Sequence, residues 1–254
     1  MIENFFRSLR DRKVNYLLIS GQATVLYGAA TFSEDIDLWV APDQENLDRL
    51  RQALHQISAC WYKLTPPLEE KFAREGHGFH FILPGEPEIY LDVMGAPPRS
   101  PEFETALKSA NNIDTDWGCL PVVGIEHLVE IKKTQRMEDY PVISKLALLA
   151  SEHAQVDQAW VRDNIFTLET LQSWYSFLNN TETSDILSSD ENLYRLQLLD
   201  QAAFDESLEI RMATELSGKI QACQQEDRKY WRSIIQSLKA LRSSGDLMPA
   251  NEPV

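Results

Sequence analysis

The stretch "LLISGQATVLYGAATFSEDIDLWV", Leu17 to Val40, decides the fold. It opens inside a compact apolar run, "NYLLIS" over 15–20, suited to a buried strand, and the run breaks at Gly21. "QATVLYGA" follows with helical character, and the pattern returns to a strand at "DIDLWV", 35–40. Alternate side chains of a strand share a face, so Asp35 and Asp37 point one way while Ile36 and Leu38 enter the other layer. Two like charges about 7 Å apart along a strand repel each other, that spacing being twice the rise per strand residue. A polyvalent cation is the natural remedy.

Working outward, "APDQENLDRLRQALHQI" places Pro42 and Asp43 where a helix starts, then Leu47, Leu50, Leu54 and Ile57 at helical spacing. "GFHFIL" (78–83) and "EIYLDVMG" (88–95), separated by "PGEP", read as a hairpin. The second of these carries Asp92, a single acid whose neighbours Leu91 and Val93 face the opposite layer. If that strand lies beside 35–40, Asp35, Asp37 and Asp92 converge as a carboxylate cluster fit for two Mg²⁺ ions, which would clamp a nucleoside triphosphate and activate a hydroxyl. Phosphates also need donors. Gly21 at the strand-to-helix junction lets backbone N–H groups approach an anion, and Ser20 adds a hydroxyl.

This order, with "ISGQA", "DIDL" and "LDV" as its marks, resembles the nucleotidyltransferase superfamily, most closely the minimal nucleotidyltransferases and the abortive-infection toxin–antitoxin relatives of bacteria. The resemblance covers roughly residues 10–150. It implies a nucleotidyltransferase-like mixed sheet flanked by helices, ATP or another NTP as substrate, and transfer of its NMP group to a hydroxyl on a protein, a small molecule or RNA. Catalysis and metal binding fall to Asp35, Asp37 and Asp92, and phosphate binding to Ser20 and Gly21. In "LPVVGIEHLVEIKKTQRMEDYPVI" the resemblance adds Lys132, Arg136 and Asp139; the two cations, four apart on one predicted helix, are expected at the phosphates. That helix is expected to break near Tyr140–Pro141. Two positions depart from the family pattern: Ser20 replaces a glycine, and Thr31 stands where many relatives carry Arg or Lys. Thr31 motivates the alternative of a catalytically inactive, protein-binding component of a toxin–antitoxin pair, with a cognate toxin or antitoxin as partner.

Strand signals end near residue 155, and the rest reads as helices, including the stretch around 191–216, before "GDLMPANEPV", expected to fray. The fold expected is α/β (α+β), with a nucleotidyltransferase-like domain over 1–150 and an all-α domain over 151–254. Trp160, Trp174 and Trp231 occupy apolar helical positions and are expected in a core or interface, and His77 and His80 read as strand decoration beside Asp92. The formal charge of −15 is spread over both halves, which disfavours long nucleic acid, although tRNA stays open as an acceptor if Arg162, Arg228, Lys229, Arg232, Lys239 and Arg242 form a basic strip. Three scattered cysteines, the absence of a signal-peptide pattern and the lack of a long apolar run lead us to expect a cytoplasmic protein with reduced thiols and no membrane span.

Overall fold

A computed structural model describes residues 2–153, 156–180 and 206–254. The chain forms two compact units, one of residues 1–131 with 229–254 and one of residues 132–228. This differs from a boundary at 150, because the helix over 139–152 packs with the helices that follow it.

The first unit is built on a seven-stranded mixed sheet in the order β3-β4-β5-β2-β1-β7-β6. Its strands are β1 (Tyr16–Leu18), β2 (Ile36–Val40), β3 (Cys60–Trp61), β4 (Gly78–Leu83), β5 (Ile89–Met94), β6 (Asn111–Thr115) and β7 (Gly118–Val122). Its helices are α1 (Ile2–Asp11), α2 (Ser20–Leu26), α3 (Gln44–Gln56), α4 (Glu70–Arg74), α5 (Phe103–Lys108) and α6 (Ile125–Lys132), the last residue of α6 opening the second unit. The α/β class expected from the sequence, a sheet flanked by helices and followed by a part that is helical among its described residues up to Ser244, is the one observed.

Period-two burial shapes the centre of the sheet. Ile36 and Leu38 of β2, Leu91 and Val93 of β5, and Phe79, Phe81 and Leu83 of β4 are buried on one face. On that face α1 sets Phe6 against Tyr16, with ring centroids 6.0 Å apart. α1 also touches α3, where Ser8 Oγ donates to Ala53 O at 3.3 Å. Asp43 caps α3 by accepting from the Asn46 amide at 2.9 Å, which fixes the start that Pro42 and Asp43 announce.

Three expectations are corrected. The 125–152 run breaks over 133–138 rather than at Tyr140–Pro141; α6 ends at Lys132, and α7 (Asp139–Glu152) begins two residues before Pro141, which sits in its first turn. A proline there replaces an N–H that has no helical partner in any case. The final segment does not fray. Asn251 N donates to Trp61 O, Trp61 N to Glu252 O and Val254 N to Ala59 O, so 251–254 lies along the outer side of β3 and covers that edge of the sheet. The sequence reading also leaves out β6, which pairs antiparallel with β7.

The second unit is helical among its described residues, with α7, α8 (Gln158–Asp163), α9 (Leu168–Asn180) and most of α10 (Glu206–Ser244). Trp174 is fully buried in a cluster with Ala147, Val161, Ile165 and Met212, and Trp160 packs against it, as the apolar spacing implies. Trp231 is half-buried on the part of α10 that belongs to the first unit. Of the helix expected around 191–216, residues 191–205 lie outside the described residues.

Candidate functional site

The site grows from three short backbone links. Ile19 N donates to Asp37 O at 3.0 Å, which seats the start of α2 beside β2. Ser20 takes φ +56°, a left-handed conformation that favours glycine, and this turns the chain from β1 into α2. A Cβ on Gly21 would stand 2.2 Å from Ser33 Oγ, so the space this glycine leaves open is taken by Ser33. Gln22 Nε2 donates to Ser33 O at 3.0 Å and Ser33 Oγ to Asp35 O at 3.3 Å, which binds the loop before Asp35 to the first turn of α2. The amides of that turn carry no side-chain cap.

β2 and β5 run parallel with Asp37 directly opposite Asp92. Both therefore leave the sheet on the face away from α1. Asp35 immediately precedes β2 and is half-buried. The structure thus brings Asp37 and Asp92 together, with Asp35 two residues upstream. Among the described residues no group of three or more His, Cys, Asp and Glu side chains is placed to hold a metal ion. Mg²⁺ commonly takes one or two carboxylates with waters and substrate phosphates, and two hard oxygen donors side by side on Asp37 and Asp92 fit that chemistry.

His80 is the residue that sequence reasoning underrated. The β4–β5 hairpin pairs it with Asp92, and its Nδ1 lies 2.7 Å from Asp92 Oδ1. The pair is partly open to solvent, with side-chain exposures of 25% for His80 and 32% for Asp92. Gly78 gives the ring its seat, since a Cβ there would come within 3.2 Å of His80 Cε1 and Nε2. The signal was available: a hairpin closing between Leu83 and Ile89 sets residue 80 opposite residue 92.

Farther along the same face, Tyr90 and Tyr62 pack with ring centroids 5.0 Å apart and their planes tilted by 34°, and Lys63 Nζ stands 4.9 Å from the Tyr62 ring centre. The Tyr90 phenol is pushed up from its ordinary range by Tyr62 first, then by burial and the charges of Glu88 and Asp35. Asp35 is therefore close enough to Tyr90 to act on its charge.

The expected phosphate ligands Lys132 and Arg136 meet an acid of their own unit. Lys132 ends α6 and Arg136 sits in the loop before α7, so they do not share a helix face. Both meet Asp139: Lys132 Nζ lies 2.8 Å from Oδ1 and Arg136 Nε 3.5 Å from Oδ2, while Thr134 Oγ1 donates to Oδ2 at 2.6 Å. Lys132 and Asp139 are buried, with side-chain exposures of 9% and 8%, and make a structural pair.

No protein-family model matches the chain. No curated protein matches it either. Among solved structures it is similar to one from Thermotoga maritima described as a "putative nucleotidyltransferase", with 17% identity over 63% of this chain and 89% of that chain and a TM-score of 0.34. Likeness at that level carries no weight for activity, which is read instead from the acid face itself.

Among the described residues no helix is long and apolar enough to cross a membrane.

Proposed function

We propose that the protein is a metal-dependent nucleotidyltransferase that moves an NMP group from an NTP to an acceptor hydroxyl. The observation that carries this reading is the in-register pairing of Asp37 with Asp92, next to the uncapped start of α2. Two carboxylates side by side on a half-open sheet face repel each other, and a divalent cation relieves that repulsion. The cation, when bound, neutralises charge on the triphosphate.

Each residue then has a role. Asp37 and Asp92 hold the cation, and Asp35 adds negative charge at the near end of β2. The first-turn amides of α2, Ser20 to Gln22, donate to the phosphates. His80 is a positioning residue that holds the Asp92 carboxylate through Nδ1. The acceptor oxygen forms a bond to the α-phosphorus, its proton passes to Asp92, and the α–β bridging bond breaks with its electron pair leaving on pyrophosphate. Most of the rate enhancement comes from positioning and charge neutralisation.

Incubation with each α-phosphate-labelled NTP and Mg²⁺ tests the reading. Label is expected to pass to a hydroxyl acceptor with release of pyrophosphate in the wild type, and to stay on the nucleotide in Asp37→Asn and Asp92→Asn. Equal transfer by all three proteins would sink the assignment.

One observation favours a second reading, a partner-binding protein on the same fold without turnover, such as a toxin–antitoxin component. Both cations expected to serve phosphate, Lys132 and Arg136, are engaged by Asp139. Such a protein need show no Mg²⁺-dependent NTP binding.

A further inference from the structure

A cleft of about 740 Å³ opens at the end of the sheet where β2 and β5 begin. Its volume is that of a small-molecule site. Apolar side chains make most of the wall: Val25 of α2, Phe32, Ile36, Ile89 and Trp117. Phe32 is 73% exposed, a costly position for a large apolar ring with nothing against it. The charges at the rim are of one sign. Glu34, Glu86 and Glu88 line the cleft, and its lining contains no Lys, Arg or His.

We propose that this cleft is the acceptor site and that the acceptor is a small organic cation carrying a hydroxyl on an apolar or aromatic body. The inference rests on the nucleotidyl-transfer reading above. Three carboxylates around an apolar floor repel a triphosphate and attract a cation, so the nucleotide's phosphates belong at the start of α2 and the acceptor belongs in the cleft. Aromatic rings at the wall favour the same charge, because a cation is drawn to the face of Trp, Tyr or Phe.

The cleft also reaches the acid face. Ile2 of α1, Ile36 and Ile89 put most of its wall on the α1 side of the sheet, and the acid face is met at the cleft's edge. Tyr90, also in its wall, lies on the Asp92 side of β5, two residues from Asp92. A molecule seated between Phe32 and Trp117 with its ammonium group at the glutamates would direct its hydroxyl to Tyr90, where the cleft and the acid face adjoin.

The test is binding of two matched probes to the ¹⁵N-labelled full chain without nucleotide or metal. Tyramine has the aromatic body, the hydroxyl and a positive charge; 4-hydroxyphenylacetate has the same ring and hydroxyl with a negative charge. Tyramine is expected to shift the Trp117 indole N–H and the Gly85 amide saturably, and 4-hydroxyphenylacetate to leave both in place. The variant E34Q/E86Q/E88Q alters only exposed side chains and should fold, and it should bind tyramine about ten-fold more weakly. No shift with tyramine at tens of millimolar, equal shifts with the anion, or unchanged affinity in the glutamine variant would each overturn the proposal. Because nucleotide is absent, the two failures separate: a cleft that ignores tyramine in a protein that binds Mg²⁺–NTP overturns the acceptor proposal alone, whereas tyramine binding without NTP binding overturns the transfer reading and the acceptor role that rests on it, leaving only a cation-binding cleft.

Discussion

Asp139 and Asp92 are both acids in largely apolar surroundings, and their settings are opposite. Asp139 is buried at the start of α7, where Lys132, Thr134 and Arg136 all meet its oxygens. Asp92 is partly open on β5, faces the like-charged Asp37 across the strand pair and holds His80 by one oxygen. The first carboxylate is neutralised from within by Lys132. The second is set beside another negative charge, and in the proposed function it serves a cation and the ligand that cation brings. The resemblance assigns Asp92 to catalysis and metal binding and Lys132 and Arg136 to the phosphates; the structure shows both cations meeting Asp139.

The largest expected effect breaks the structural pair. Asp139→Ala leaves the buried Lys132 ammonium without its carboxylate and should lower stability by about 3 kcal/mol, the usual cost of removing one partner of a buried ion pair. Urea unfolding reads this directly. Asp37→Asn should instead change stability by less than about 0.5 kcal/mol, or raise it, since a like-charge neighbour on a half-open face is removed. Equal losses in the two variants would erase the contrast between the settings.

Next in size is an acid limb from His77. This ring is buried, its Nδ1 has no hydrogen-bond partner among the described residues, and burial holds its pKa below the ordinary 6.5 while Glu75 opposes the shift. The unfolded chain therefore binds the proton first as pH falls. Stability is full above pH 6.5 and is lost below it, until the folded-state pKa is passed. Stability curves between pH 7.5 and about pH 5 should slope downward in the wild type and flatten in His77→Gln. A parallel slope in both proteins would assign the acid limb to other groups.

The smallest effect concerns the junction of β1 and α2. Ser20 holds a left-handed φ of +56° at some cost, so Ser20→Gly should raise the melting temperature slightly, for a gain of up to about 1 kcal/mol after the added freedom of the unfolded chain is offset. A loss of stability would mean that the hydroxyl supplies more than the backbone strain removes.

Much of this was legible in the sequence where one short-range rule dominates. The alternation in "DIDLWV" and "IYLDVMG" sets the buried and acidic faces, the Pro42–Asp43 start fixes α3, and "PGEP" closes the β4–β5 hairpin. The hairpin count even contained the His80–Asp92 pair. What escaped depends on distant partners or on weak signals. β6, "NNIDT", is a mostly exposed edge strand without an apolar face. The break at 133–138 carries no glycine or proline, whereas Pro141 looks like a breaker and is accommodated in the first turn of α7. The covering of β3 by 251–254 is a tertiary contact that no local pattern announces. Within the site, the alternation located Asp37 and Asp92; for Lys132 and Arg136 the sequence offers nearby acids, Glu130, Glu138 and Asp139, as partners, and the structure shows that Asp139 meets both.

The central claim, that the Asp37–Asp92 pair serves a cation-bound nucleotide, is tested most directly by calorimetric titration of the four NTPs with and without Mg²⁺ into the wild type and into Asp37→Asn/Asp92→Asn. The account predicts Mg²⁺-dependent binding of at least one NTP to the wild type and its loss in the double variant with the fold intact. Binding that ignores Mg²⁺, binding retained by the double variant, or no binding to the wild type would contradict it.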